Sequence, residues 1–164
     1  MDDETSTKLV LSQPTRRREW ELRRGEENVA ELRLPSVKRG GQARVEGRKL
    51  EIRVRGVLRR EDLLVDTATG EELARVRGRK VEIRGAESAE WKSLGRKAGY
   101  GLVGHDGEAW LRAKASSGMV RTTGLVEVAA GHQVAIPALL AAYLLIRHAE
   151  EVAAAAAATT VTAN

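Results

Sequence analysis

The stretch Gly131–Ala158, GHQVAIPALLAAYLLIRHAEEVAAAAAA, differs in kind from everything before it. No charged residue occurs between Ala138 and Ile146, whichever face of a helix is considered. Ala and Leu are strong helix formers, and neither Gly nor Pro follows Pro137. Pro137 itself suits the first position of a helix, where its missing N–H is harmless. A helix is therefore expected from roughly Pro137 to Ala149 or beyond. A helix that is apolar all round must be buried on all sides, in protein or in lipid. Length separates the two. A membrane span needs about 20 apolar residues, whereas Val134 to Ile146 supplies thirteen before Arg147, His148, Glu150 and Glu151 intervene. Burial inside the protein is the better account, with no transmembrane span and with Leu140 and Leu144 in the core.

What could surround such a rod is set by the preceding 130 residues, where polar and apolar residues alternate. In RKLEIRVRG, Leu50, Ile52 and Val54 share one face while Glu51, Arg53 and Arg55 share the other. In RKVEIRG, Val81 and Ile83 oppose Lys80, Glu82 and Arg84. This period of two marks half-buried strands. It recurs in KLVLS, EWELRR, VAELRLP, QARVEG, DLLVDT, ELARVRG, EWKSLGR, GYGLVG, AWLRAKA and LVEVAA. The total is about ten to twelve strands of ordinary length. Short links rich in Gly, Asp, Glu and Asn join them, and Asp106-Gly107 is a strong hairpin dipeptide.

A sheet of that many strands with one apolar face must curl or gain a second layer. Closure into a barrel removes the edges and leaves an interior to be filled. Phe is absent and aromatics total only 3%, so the wall cannot fill that interior alone. Thirteen to fifteen helical residues rise about 20 Å, close to the length of a six-residue strand. The expected fold is all-β with one helix: an antiparallel, closed or nearly closed β-barrel around a buried hydrophobic C-terminal helix. Residues 1–8 are expected as a loose tail and 9–151 as the barrel with its helix from about 137. Residues 152–164 extend that helix or fray.

The composition, 42% hydrophobic and 31% charged, is that of a globular chain of one domain. The net charge of +5 permits attraction to phosphate-rich partners without demanding it, since 28 basic residues are interleaved with 23 acidic ones. Absence of cysteine excludes disulfides, Cys-ligated zinc and thiol catalysis. It fits a reducing, cytoplasmic setting. The start, MDDETSTKLVLSQPTRRREW, has no basic segment followed by an apolar one, so a secretory signal is not expected.

EWELRRGEENVAELRL, LLVDTATGEELARV, YGLVGHDGEAWLRAKA and IPALLAAYLLIRHAEE, taken in order, resemble the tubby C-terminal-like fold. The LURP-one-related proteins and the phospholipid scramblases share it. The resemblance spans most of residues 9–151 and lies in order and pattern. It implies about twelve antiparallel strands closed around one hydrophobic helix near the C-terminus. It also implies association with anionic lipid through surface basic residues, but no segment matches a defined phosphoinositide site. No D-x-[DN]-x-[DN]-G calcium loop occurs.

Catalytic signatures are wanting. His105, His132 and His148 lack metal-ligand spacing, and no H-E-x-x-H or G-x-S-x-G occurs. His105-Asp106 reads as turn chemistry. KRGGQ and GYGLVG carry no phosphate-loop or dinucleotide pattern, and Gly99-Tyr100-Gly101 reads as a bent strand. No catalytic, metal-ligating or cofactor-binding residue is assigned, and no enzyme is expected. Basic clusters are the candidate site: Arg16, Arg17 and Arg18; Lys38 and Arg39; Arg59 and Arg60; Arg77, Arg79 and Lys80. Converging at one mouth, they would hold a polyanion such as an anionic membrane surface. Nucleic acid fits less well, because Trp20, Trp91 and Trp110 are expected to pack inward rather than stack on bases. The alternative is a structural or protein–protein interaction domain without a small ligand.

Overall fold

A computed structural model describes residues 6–15, 17–36, 40–116 and 123–161. Twelve strands precede one helix: β1 (Thr7–Ser12), β2 (Glu19–Arg24), β3 (Glu27–Arg33), β4 (Gly41–Val45), β5 (Arg48–Arg55), β6 (Glu61–Asp66), β7 (Glu72–Arg77), β8 (Lys80–Ile83), β9 (Ala89–Gly95), β10 (Gly99–Val103), β11 (Ala109–Ser116), β12 (Thr123–Val128) and α1 (Ala135–Val161). Each strand pairs antiparallel with its neighbours in sequence, and β1 closes the barrel on β12 through Leu9↔Val126 and Leu11↔Gly124. The expected all-β barrel is the observed fold. Strand β1 begins at Thr7, two residues before the expected barrel start at residue 9.

The period of two is the period of the wall. Leu9, Leu11, Leu22, Leu32, Leu50, Ile52, Leu64, Val81, Leu102, Leu111 and Val126 face the interior and are buried. Glu19, Arg33, Arg53, Arg75, Lys80, Glu82, Glu90 and Lys92 face out, largely joined in ion pairs along or across strands. An outer wall so charged does not face hydrocarbon, because a lipid-exposed barrel needs an apolar outer band. Strand β6 departs from the pattern, its residues Asp62 to Asp66 all being buried. Leu63 stands in register with Arg53 and Arg75, and Val65 with Glu51 and Glu72. The aliphatic stems of these charged neighbours can cover the two outward side chains.

Helix α1 threads the barrel. Every residue from Pro137 to Ile146 is buried except Leu144, which is partly exposed. Tyr143 and Ile146 are among the largest fully enclosed side chains. The helix starts at Ala135, so Pro137 occupies its third position rather than its first. That is equally harmless, since N–H groups throughout the first turn lack intrahelical partners. Gly124 lets the rod approach the wall: a Cβ there would lie 2.5 Å from the Lys114 carbonyl oxygen and 3.3 Å from Leu145 Cδ2. From Glu151 to Thr160 every residue of the continuing helix is exposed. The alanine run therefore extends the helix beyond the barrel. No described helix is long and apolar enough to cross a membrane.

Candidate functional site

An antiparallel meander places alternate connections at opposite ends of its barrel. The connections after β1, β3, β5, β7 and β9 open at one rim, and those after β2, β4, β6, β8 and β10 at the other. The charges divide the same way. The described loop residues of the first rim include Arg17, Arg18, Arg59, Arg60, Arg79, Arg96 and Lys97, and no Asp or Glu. Those of the second rim include Glu26, Glu46, Glu71, Glu87, Asp106 and Glu108, against one basic residue, Arg84. Helix α1 enters at the acidic rim, where His132 stacks on Trp110 with ring centroids 4.9 Å apart. It leaves at the basic rim, where Glu150 pairs with Arg18 and Arg147 donates to the Gly40 carbonyl at 3.2 Å.

Of the predicted cluster residues, Arg17, Arg18, Arg59, Arg60, Arg77, Arg79 and Lys80 all lie at or beside this basic rim. Arg16, Lys38 and Arg39 lie outside the described residues. The residues that meet there are not equivalent. Arg18 is occupied by the Leu34 carbonyl at 3.0 Å and by Glu150, and its guanidinium sits 5.6 Å from the Trp20 ring centre. Arg77 pairs with Glu61 and Lys80 with Glu82. Arg17, Arg59 and Arg79 are exposed and form no ion pair with described residues, as do Arg55, Arg96 and Lys97, which the sequence reading did not single out. Like Arg44, Lys49, Arg112 and Lys114 on the outer wall, these cations can meet an incoming anion without first breaking an ion pair among the described residues.

Arg60 serves the fold. Its Nε donates to Asp62 Oδ1 at 3.0 Å, and a terminal nitrogen donates to Asp62 Oδ2 at 3.3 Å and to the Tyr143 hydroxyl at 3.2 Å. The Tyr143 hydroxyl in turn donates to Asp62 Oδ2 at 3.1 Å. Burial works against the Arg60 charge, but the Asp62 carboxylate outweighs it and holds the guanidinium pKa above its ordinary value. Burial, then the Asp62 charge, pushes the Tyr143 phenol up. The network ties the β5–β6 connection to the rod.

Beside it opens a cavity of about 560 Å³ lined by Arg59, Arg60, Arg77, Trp91, Leu144, Arg147, His148 and Glu151, among others. Trp91 stacks on Tyr100 with centroids 5.5 Å apart, and the Tyr100 hydroxyl lies 2.6 Å from His148 Nε2. Trp20 and Trp110 are buried, and Trp91, though only partly buried, also packs against the core, so all three pack inward as expected. A second concavity, about 620 Å³, crosses the outer face of β2–β5, where Glu19, Glu21, Glu31, Arg33, Arg44 and Lys49 alternate in sign. It separates no charge and offers one sign of ligand no advantage. His105 lies 3.2 Å from Ser88 Oγ, and Asp106 caps the turn by accepting from the Glu108 amide at 3.0 Å. No cluster of His, Cys, Asp or Glu among the described residues has metal-binding geometry.

The common rim was visible in the numbering. Basic pairs recur near positions 17, 38, 59, 79 and 96, about twenty residues apart, which is the length of one hairpin with its two connections. A charge that returns every second turn of a meander returns to one end of it. No protein-family model, curated protein or solved structure matches the chain.

Proposed function

We propose that this protein is a non-enzymatic binding module that engages a polyanion through the basic rim, and that it is a divergent member of the tubby C-terminal-like group. The observation carrying the first statement is the gathering of unpaired cations at a rim whose described loop residues include no Asp or Glu. Mid-barrel charges are mostly paired, while Arg17, Arg55, Arg59, Arg79, Arg96 and Lys97 gather unpaired around the helix exit. Such a one-sign surface attracts phosphate-rich partners at long range and weakens with salt. In support of the second, twelve strands in sequence order around one C-terminal helix is the arrangement that resemblance implies.

The test is binding to immobilised heparin and to vesicles containing anionic phospholipid. The triple variant Arg59→Glu, Arg79→Glu, Arg96→Glu should lose binding while melting like the parent, because none of the three side chains forms an ion pair with the described residues. Arg60 is left intact, since its reversal would break the Asp62–Tyr143 network. Absence of binding at low salt would remove the reading. A protein-interaction role is favoured by a different feature, the exposed helical segment from Glu151 to Thr160, whose alanines offer a smooth surface for another helix. A complex that survives high salt and is lost when that segment is deleted would mark that role.

A further inference from the structure

The β5–β6 connection, Gly56-Val57-Leu58-Arg59-Arg60, carries the two most exposed large apolar side chains among the described residues: Val57 is 96% and Leu58 99% exposed. They are adjacent and lie at the rim whose unpaired cations were described above. Their nearest rivals are far less exposed: Val152, at 55%, lies on the projecting part of α1, and Val10 at 53% and Leu125 at 42% stand opposite each other across β1 and β12 on the barrel wall. We propose that Val57 and Leu58 form an insertion tip that enters an anionic lipid bilayer while the surrounding arginines hold its headgroups. This rests on the polyanion reading and names the polyanion.

Three features favour a bilayer over a soluble polyanion. The tip is flanked by Arg55 and Arg59, both exposed and unpaired, so cations surround the apolar pair at the level where headgroups would lie. Its base is fixed, because Arg60 is bonded to Asp62 and Tyr143 and Gly56 turns the chain with φ of 81° in the left-handed region open to glycine. Leu58 borders the cavity at the barrel mouth, yet both side chains stand almost wholly in solvent, so the apolar pair is presented outward. A nucleic acid or sulfated chain would gain nothing from Val and Leu, whereas hydrocarbon removes both from water. Polybasic attraction alone fades within a Debye length as salt rises. Apolar insertion does not, so the two together give attachment that persists at physiological salt.

The chain has no cysteine, so single labelled sites can be placed cleanly. Leu58→Cys carrying a polarity-sensitive dye should shift to the blue on phosphatidylcholine vesicles containing phosphatidylserine. Val10→Cys on the wall should not shift. Val57→Ser with Leu58→Ser, which removes the apolar groups without adding charge, should lower vesicle binding at physiological salt about tenfold or more, as expected for two lost apolar side chains. Heparin binding and the melting temperature should stay unchanged. Binding to both vesicles and heparin that is untouched by the double variant, with no dye shift, would overturn insertion and leave the polyanion reading standing. Heparin binding without vesicle binding would do the same and point to a soluble partner. Failure to bind either probe would remove both.

Discussion

Asp66 and Tyr143 couple the barrel's stability to pH in opposite senses. Asp66 is buried at the end of β6, where its Oδ2 accepts from Arg48 at 2.8 and 3.1 Å and its Oδ1 accepts from the amides of Ala68 and Thr69. The Arg48 bond, then the Ala68 amide, holds its carboxyl below the ordinary value. A depressed acid binds its proton less readily folded than unfolded. Its contribution is therefore present above the unfolded pKa and lost as pH falls through the lower, folded one. Asp66→Asn should be less stable than the parent at neutral pH, and the two urea midpoints should converge in acid; parallel midpoints at every pH would contradict this. Tyr143 acts in the reverse sense. Its pKa is raised, so its contribution is complete below the unfolded value and lost as pH rises through the folded one. Its hydroxyl sits between a guanidinium and a carboxylate, and hydrogen bonds to charged groups contribute about 1.5–3 kcal/mol. Tyr143→Phe should cost about that much at neutral pH, measured by chemical denaturation, with the gap closing in alkali. No sequence pattern announces either residue: beside its local amide partners Asp66 meets Arg48, 18 positions away, through the β5–β6 pairing, and Tyr143 meets Asp62 and Arg60, 81 and 83 positions away, only because the helix threads the barrel.

The helix is two elements in one continuous α1. Up to Ile146 it is a core component, and beyond Glu150 it is surface. The apolar run revealed the first part because a helix without a polar face has one place to go. The sequence treats Leu140 and Leu144 alike, but the structure separates them: Leu140 is buried by the wall, and Leu144 lines the cavity at the basic rim. Truncating a buried Leu costs about 2–5 kcal/mol even without a charge, against a total stability of about 5–15 kcal/mol. Leu140→Asp should therefore yield no cooperatively folded protein by circular dichroism and thermal melting. Leu144→Asp, able to turn its carboxylate toward Arg147 and the opening, should fold with a lowered melting temperature. Deletion after Glu151 removes exposed alanines and spares the Arg18–Glu150 and Arg147–Glu150 pairs, so the melting temperature should hardly move. A large loss would mean that the projecting segment packs on something.

Across the whole molecule, strand number, order and the sheathed rod were legible because each follows from a local rule: period two for the wall, an all-apolar helix for the filling, and glycine-bearing turns between. The barrel's charge axis was written in the same residues but needs the parity of the turns to be read, and single clusters do not show it. Val57 and Leu58 were hidden in a further way. In sequence they read as two ordinary apolar residues, and only their position in a connection pinned by Arg60 turns them outward. The charge axis predicts that location, not net charge, governs attraction. Arg59→Glu, Arg79→Glu and Arg96→Glu together take the net charge from +5 to −1, since each exchange removes two charges. Adding Glu26→Lys, Glu46→Lys and Glu87→Lys at the other rim restores it to +5. The threaded part of α1, about thirteen residues, separates the rims by about 20 Å, more than twice the screening length of about 8 Å at physiological ionic strength. Charges returned to the acidic rim therefore cannot serve a ligand at the basic one. The sixfold variant should present its new cations at the wrong end, and the Glu26, Glu46 and Glu87 exchanges alone should leave heparin affinity within about twofold of the parent at that ionic strength. Immobilising the parent and the sixfold variant through Val10→Cys fixes both barrels alike, and heparin oligomers should then bind the parent and not the variant. Equal binding by the two would show that the chain responds to total charge, and that the basic rim has no special standing.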